Sequence, residues 1–249
     1  MLKIVVKIGL TLLVIIMAYL LTANWLIYYR LGRIGLEASD NQHIYVINDQ
    51  LATSSAIIYV ALGDSLTAGV GTINYQHSYA YLVAQKIADA TTKVFHHNHS
   101  FPGARTQDII DTLLDKAIED KPDVVTLLVG INDIHGRVSA AKFRKNYETI
   151  LTRLSTETTA KINIISIPQI GTNSLLWPPF NYYYQARIDK FNGLIREMAD
   201  SYDLNYINLP AFPAQPAGQL NPYYSSDNFH PSDLGYQFWS QTIYEHLNK

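Results

Sequence analysis

The stretch VALGDSLTAGVG, residues 60–71, starts as an apolar run and breaks at Gly63 into Asp64 and Ser65, with Thr67, Gly69 and Gly71 close behind. An apolar, β-rich run that stops in small turn-forming residues reads as a strand leading into a tight loop. Taken alone, Gly-Asp-Ser is a common turn tripeptide. Whether Ser65 is more than punctuation depends on what the rest of the chain brings to the same place.

The strand-and-break pattern recurs along the chain. Short apolar runs at 56–62, 93–97, 124–129, 162–167 and 204–207 alternate with segments of helical period at 79–90, 106–118, 140–154, 183–202 and 234–247. In the second of these segments Ile109, Ile110, Leu113, Leu114, Ala117 and Ile118 share one face. Such alternation predicts an α/β domain built on a mainly parallel sheet of about five strands, with helices on both faces. In an open parallel sheet the ligand crevice lies outside the C-terminal ends of the strands. Ser65, Gly103 in SFPGART, Asn132 in LLVGINDIHG, and Asp227 with His230 in SSDNFHPSDLGY all follow predicted strands. Four scattered motifs thus fall on one edge.

Ahead of this domain, residues 8–29 (IGLTLLVIIMAYLLTANWLIYY) carry no charge and are long enough for a helix across a bilayer core, for which ~20 residues suffice. The stretch exceeds a usual signal core, and Leu21-Thr22-Ala23 is a poor cleavage site. Trp25, Tyr28 and Tyr29 suit an aromatic belt at the headgroup level, and Arg30 and Arg33 follow. The chain therefore divides into an N-terminal membrane anchor (1–30), a stalk or linker (31–54) with a small apolar patch at 44–47 that fits one short strand, and the α/β domain (55–249). Lys3, Lys7 and the terminal amine oppose Arg30 and Arg33, so the charge bias is slight. The expectation is an uncleaved anchor holding the domain outside the cytoplasm.

Composition removes several function classes. The net charge is −2 and no long Lys/Arg run occurs, so the electrostatic footprint of a nucleic-acid binder is missing. With no cysteine, a disulfide framework, a thiol nucleophile and a Cys-ligated metal are excluded. Of His96, His97 and His99, a strand places only His97 and His99 on one face. No nearby carboxylate completes a tetrahedral set, so no metal site is expected.

Gly63-Asp64-Ser65-Leu66, Gly103, Gly130-Ile131-Asn132-Asp133 and Asp227-Asn228-Phe229-His230, in that order, resemble the four blocks of the SGNH/GDSL family of serine hydrolases. The resemblance runs from about residue 57 to the C-terminus and leaves the anchor and stalk outside. No G-x-S-x-G is present, so the nucleophile elbow of the α/β-hydrolases is not what positions this serine. The resemblance implies a three-layer α/β/α, flavodoxin-like domain with Ser65, Asp227 and His230 as catalytic residues. It implies an oxyanion hole made by the backbone N–H groups of Ser65 and Gly103 and the side-chain amide of Asn132.

The chemistry fits these residue types. A serine hydroxyl is a weak nucleophile until a base takes its proton, and an imidazole titrating near neutrality can take it and return it to the leaving alcohol. Asp227 would accept the other ring N–H and fix the tautomer. Asp64, Asp133 and Asp233 are competing carboxylates, and the resemblance ranks them as structural because it places the acid before the histidine. Glycine at 103 lets backbone approach a substrate closely. No metal or organic cofactor is required for acyl transfer to water.

Three substrate readings stay open at this point. A lipase- or lysophospholipase-like esterase draws on the anchor and on the aromatic loop 171–184, GTNSLLWPPFNYYY, with 209–224 as a possible second wall. A carbohydrate or cell-wall O-acetyl esterase would use the same residues, with Tyr182 to Tyr184, Tyr223 and Tyr224 stacking on sugars. A non-catalytic acyl- or glycan-binding module is the third.

Overall fold

A computed structural model of the chain describes residues 2–31, 44–51, 56–169, 171, 175–216 and 219–247. Much of the expected stalk (32–43 and 52–54, Arg33 within it), residue 55 of the expected domain, and parts of the two late loops (172–174 and 217–218) lie outside the described residues.

Six strands form one sheet: β1 (Ile44–Ile47), β2 (Ile57–Gly63), β3 (Val94–Ser100), β4 (Val124–Leu128), β5 (Lys161–Ile165) and β6 (Asn205–Ile207), in the order β1-β3-β2-β4-β5-β6. The five expected strands are all parallel neighbours, and β1 adds an antiparallel edge to β3. The sheet therefore begins inside the segment assigned to the stalk. With four residues and no helix after it, β1 gives little periodic signal, yet Tyr45 and Ile47 pack against the core.

The helices are α1 (Leu2–Leu31), α2 (Tyr79–Ile87), α3 (Thr106–Asp108), α4 (Leu114–Glu119), α5 (Ile131–His135), α6 (Ala140–Glu157), α7 (Phe180–Ser201) and α8 (Asp233–His246). A π turn, Ile109–Leu113, joins α3 to α4, so the single helix expected at 106–118 is locally underwound. Helix α2 packs with α8, while α6 packs against both α4 and α7. Strands β2 and β4 are buried along nearly their whole length, as parallel strands covered on both faces must be.

Strand β3 runs three residues past its expected end. Its continuation is polar but satisfied: Ser100 Oγ donates to Asn98 Oδ1 at 2.7 Å. The buried His96 bonds the Tyr75 hydroxyl at 2.6 Å and stacks on Tyr59. Burial pushes the His96 imidazole down to about 3, opposed by the Tyr59 carbonyl, so it sits neutral in the core. Polar residues hid this half of the strand from a hydrophobicity pattern.

The register sets up one functional edge. Gly63 at the end of β2 is level with Ser100 of β3 and with Leu128 of β4, so three chain segments leave the sheet together. Between β2 and β4 the connections turn to opposite faces, which opens a crevice at that edge.

Candidate active site

Ser65, two residues beyond the edge, sits in a loop closed by its own backbone: Ala68 N–H donates to the Asp64 carbonyl and Val70 N–H to the Ser65 carbonyl, at 2.9 and 3.0 Å. The Tyr236 hydroxyl of α8 donates to the Val70 carbonyl at 2.8 Å, which fastens this loop to the last helix. The segment leading into α8 is held as firmly. Ser225 N–H donates to the His230 carbonyl, Ser232 N–H to the Tyr223 carbonyl, and Ser232 Oγ caps α8 by accepting from Gly235 N–H. One rigid segment thereby delivers both Asp227 and His230.

His230 Nε2 lies 3.0 Å from Ser65 Oγ, and His230 Nδ1 lies 2.7 Å from Asp227 Oδ2. Asp227 Oδ1 accepts from Phe229 N–H, His230 N–H and Ser225 Oγ at 2.7 to 2.8 Å. Burial raises the Asp227 carboxyl, but the hydrogen bond and charge of His230, with the Phe229 and Ser225 donors, hold it below the usual carboxylate range. An ionised acid on Nδ1 keeps the proton there and leaves Nε2 as an acceptor facing the hydroxyl. Ser65 is 4% exposed and His230 2%, so the pair sits in a low dielectric, where oriented charges act strongly.

The other carboxylates have different partners. Asp133 accepts from Thr106 N–H and Thr106 Oγ1 at 2.9 and 2.6 Å and so ties α5 to α3. Asp233 binds His77 Nδ1 at 2.7 Å and Ile73 N–H at 3.1 Å. Asp64 Oδ1 accepts from Leu66 N–H at 3.0 Å, while its second oxygen is buried without a partner. Burial, opposed by that amide, pushes the Asp64 carboxyl up to about 7.

Gly103 and Asn132 meet through Ala104, whose carbonyl accepts from Asn132 Nδ2 at 3.1 Å. That bond uses one of the two amide hydrogens and leaves the other as a donor. Gly103 has φ +85°, and a Cβ there would point into open space with no atom within 4 Å. Glycine is thus required by the backbone conformation and not by crowding.

Two features were not picked out from the sequence. His135, three residues beyond Asn132 on α5, sets its ring 5.5 Å from Phe229, which in turn contacts the His230 ring at 4.8 Å. Burial, then the charge of His230, pushes His135 down to about 4; it stays neutral beside His230. Its spacing from Asn132 was the available signal. The second is Asp120, which arrives at the end of α4 to meet His97 Nδ1 and His99 Nε2 at 2.7 and 2.5 Å. The two histidines do share a face, and a carboxylate does join them, contrary to expectation, because it comes from a helix and not from the strand's neighbourhood in sequence. Against the raising effect of burial, the bonds from His97 and His99 hold Asp120 well below the usual range.

The aromatic loop divides its residues. Leu175 is buried, whereas Trp177, Tyr182 and Tyr183 are exposed, Tyr182 at 71%. In the second late loop Phe212 stacks on Trp239 and Tyr223, so those rings pack against α8 and the loop itself.

Ser65, His230 and Asp227 stand in hydrogen-bonded sequence beside the switch-point edge of a parallel sheet, an arrangement able to activate a hydroxyl for attack on an ester. Residues 61–238 match the GDSL-like Lipase/Acylhydrolase family, and the chain belongs to it. A lipase/acylhydrolase from Enterococcus faecalis is 26% identical, with 76% of this chain and 94% of that one aligned and a TM-score of 0.62. The psychrotrophic esterase EstA from Pseudoalteromonas sp. is 17% identical over 76% and 95%, TM-score 0.60. An acetylxylan esterase from Geobacillus stearothermophilus is 15% identical over 77% and 94%, TM-score 0.60. At the latter two identities the likeness is one of fold. No curated protein sequence matches the chain.

Proposed function

We propose that the protein is a membrane-anchored serine esterase that cleaves acyl esters of the lipase or lysophospholipase kind through an acyl-enzyme on Ser65. The observation that carries this is the Asp227–His230–Ser65 relay, with bonds of 2.7 and 3.0 Å in sequence. His230 takes the Ser65 proton as Oγ attacks the ester carbonyl, then hands it to the leaving alcohol. Water attacks the acyl-enzyme in the second half-reaction, with His230 again the base. The backbone N–H groups of Ser65 and Gly103 and the amide of Asn132 are assigned to the oxyanion; losing one such donor typically costs ~10²–10³-fold in kcat.

Lipid-like substrates are favoured by α1, which is long and apolar enough to cross a membrane, and by the exposed Trp177, Tyr182 and Tyr183, side chains suited to a bilayer interface. The domain is assigned to the extracytoplasmic side. The likeness to an acetylxylan esterase supports O-acetyl ester cleavage as the second reading. The test is hydrolysis of chromogenic esters from acetyl to long acyl by the full-length protein and its Ser65→Ala variant. Ser65-dependent turnover rising with chain length is expected. Turnover confined to acetyl would transfer the assignment to the second reading, and turnover surviving in Ser65→Ala would end the mechanism.

A further inference from the structure

The apolar helix is more than a tether in this fold. Residues 3–18 of α1 are exposed to the surroundings on every side, but from Tyr19 onward one face is covered. The Tyr19 hydroxyl donates to the Pro178 carbonyl at 2.7 Å, and one and two turns further on Ala23 and Ile27 are each only 2% exposed. These three positions lie on one helical stripe, which meets the aromatic loop at Tyr19. The exposed part rises about 24 Å at ~1.5 Å per residue, which places the Tyr19–Pro178 contact, and Trp177 and Tyr182 with it, close to one boundary of a ~30 Å hydrocarbon core, earlier along α1 than the belt expected at Trp25, Tyr28 and Tyr29, because Ala23 and Ile27 are covered by protein.

At this junction lies a cavity of about 300 Å³ whose wall is built jointly: Asn24 from α1, Ile134 and His135 from α5, Phe180, Tyr183 and Tyr184 from α7. Its size is at the lower end of the ~300–1,000 Å³ usual for small-molecule sites. His135 lines it, held neutral by burial and in tilted contact with Phe229, whose ring meets His230 edge-on. The cavity therefore reaches from the membrane helix to within two rings of the catalytic base. Its rim carries Arg137, an exposed cation.

We infer that this cavity is the binding site for the acyl chain of a membrane lipid ester, and that the anchor forms part of the substrate pocket. The inference rests on the esterase assignment above and names the substrate class of that site. An ester entering from the bilayer would place its chain among Phe180, Tyr183 and Tyr184, with Arg137 at the rim for an anionic headgroup. For an ester that reaches the pocket from water, burial of one methylene strengthens selectivity about fourfold, so several of them produce a steep chain-length profile.

The test uses the full-length protein in detergent micelles with p-nitrophenyl acetate and p-nitrophenyl octanoate. The wild-type ratio of kcat/KM, octanoate over acetate, is expected well above one. Asn24→Phe, which fills the cavity from the α1 side, and Tyr183→Ala, which removes apolar wall from the α7 side, should each lower that ratio at least tenfold, chiefly through KM for octanoate. Leu13→Phe, adding similar bulk on the exposed part of the same helix, should leave both rates unchanged. Agreement between substitutions from two separate elements excludes misfolding of one variant as the cause. A ratio near wild type in both Asn24→Phe and Tyr183→Ala, with Ser65-dependent acetate turnover intact, overturns the pocket and leaves the esterase standing. Absence of Ser65-dependent turnover of either ester overturns the esterase and the pocket with it.

Discussion

Replacing Asp227 by Asn should cost activity without costing the fold, and the local hydrogen bonds say why. Asp227 Oδ1 accepts from three donors, Phe229 N–H, His230 N–H and Ser225 Oγ, whereas Oδ2 faces only His230 Nδ1. An asparagine can satisfy three donors only by putting its carbonyl oxygen on the Oδ1 side. Its NH2 is then directed at Nδ1, which must become an acceptor, and the ring proton moves to Nε2. The nitrogen facing Ser65 Oγ at 3.0 Å can no longer receive the hydroxyl proton. The same tautomer reversal in the serine-protease template lowers kcat ~10⁴-fold, so a loss of ~10³–10⁴ is expected here, about 4–5.5 kcal/mol of transition-state stabilisation at ~1.4 kcal/mol per decade. Asp227→Ala differs in kind, because it also strands the Phe229 and His230 amides; at ~1–3 kcal/mol for each unsatisfied group it should lose at least about 2 kcal/mol of stability. Steady-state hydrolysis of p-nitrophenyl acetate beside thermal unfolding of the wild type and both variants reads the two effects apart. An Asp227→Asn protein retaining more than about a tenth of wild-type kcat would refute the relay.

Two further expectations concern the Ser65 loop. The folded state binds a proton on Asp64 up to about pH 7, well above an unfolded aspartate, so its contribution to stability is greatest at acid pH and declines as pH rises from about 4 through 7. The rise is worth about 4 kcal/mol, and Asp64→Asn should flatten the fall in unfolding free energy between about pH 4 and 7; parallel wild-type and variant profiles in denaturant titrations would contradict this. Gly71 has φ +97°, and a Cβ there would run into the Pro231 carbonyl and come to 3.0 Å of His230 Cβ. Gly71→Ala should therefore displace the base and lower kcat ~10²-fold, the cost of about a 1 Å misplacement, and a wild-type kcat in the folded variant would show that the His230 segment is less tightly determined than its contacts indicate.

Much of this was legible because parallel strands buried on both faces leave long apolar runs, and because a catalytic edge must place its residues just after them. What stayed hidden was hidden for physical reasons. The short strand at 44–47 was expected, but its place at the edge of the sheet was not, because it shows no period and precedes no helix. The far half of β3 is written in Asn98, His99 and Ser100, polar residues that count against a strand until their partners are known. Among four aspartates the resemblance alone singled out Asp227 as the acid; the contacts add that Asp133 and Asp233 are engaged by Thr106 and His77 and that Asp64 accepts from a backbone amide. Asp120 could not be linked to His97 and His99 by spacing, because the contact is made by the end of a helix folded back along the strand. Nor does anything in an uncharged span distinguish Ala23 and Ile27, which face protein, from Leu13 or Met17, which do not.

The two halves of the site are built in opposite ways, and this has a consequence for how they respond to change. The Asp227–His230 segment is fixed by Ser225, Ser232, the α8 cap and the close approach of Gly71, so its geometry has little freedom and acts on the chemical step shared by every ester. The cavity wall is contributed by side chains of α1, α5 and α7, so it can alter in size or polarity without moving Ser65 or His230. Substitutions at Asp227 or Gly71 should then lower kcat for acetate and octanoate in equal proportion, while those at Asn24 or Tyr183 shift the ratio between the two. A double variant, Gly71→Ala with Tyr183→Ala, should show both effects additively in free energy, as sites without shared partners do. Strong coupling between them would mean that the anchor-side wall also sets the position of His230, through His135 and Phe229.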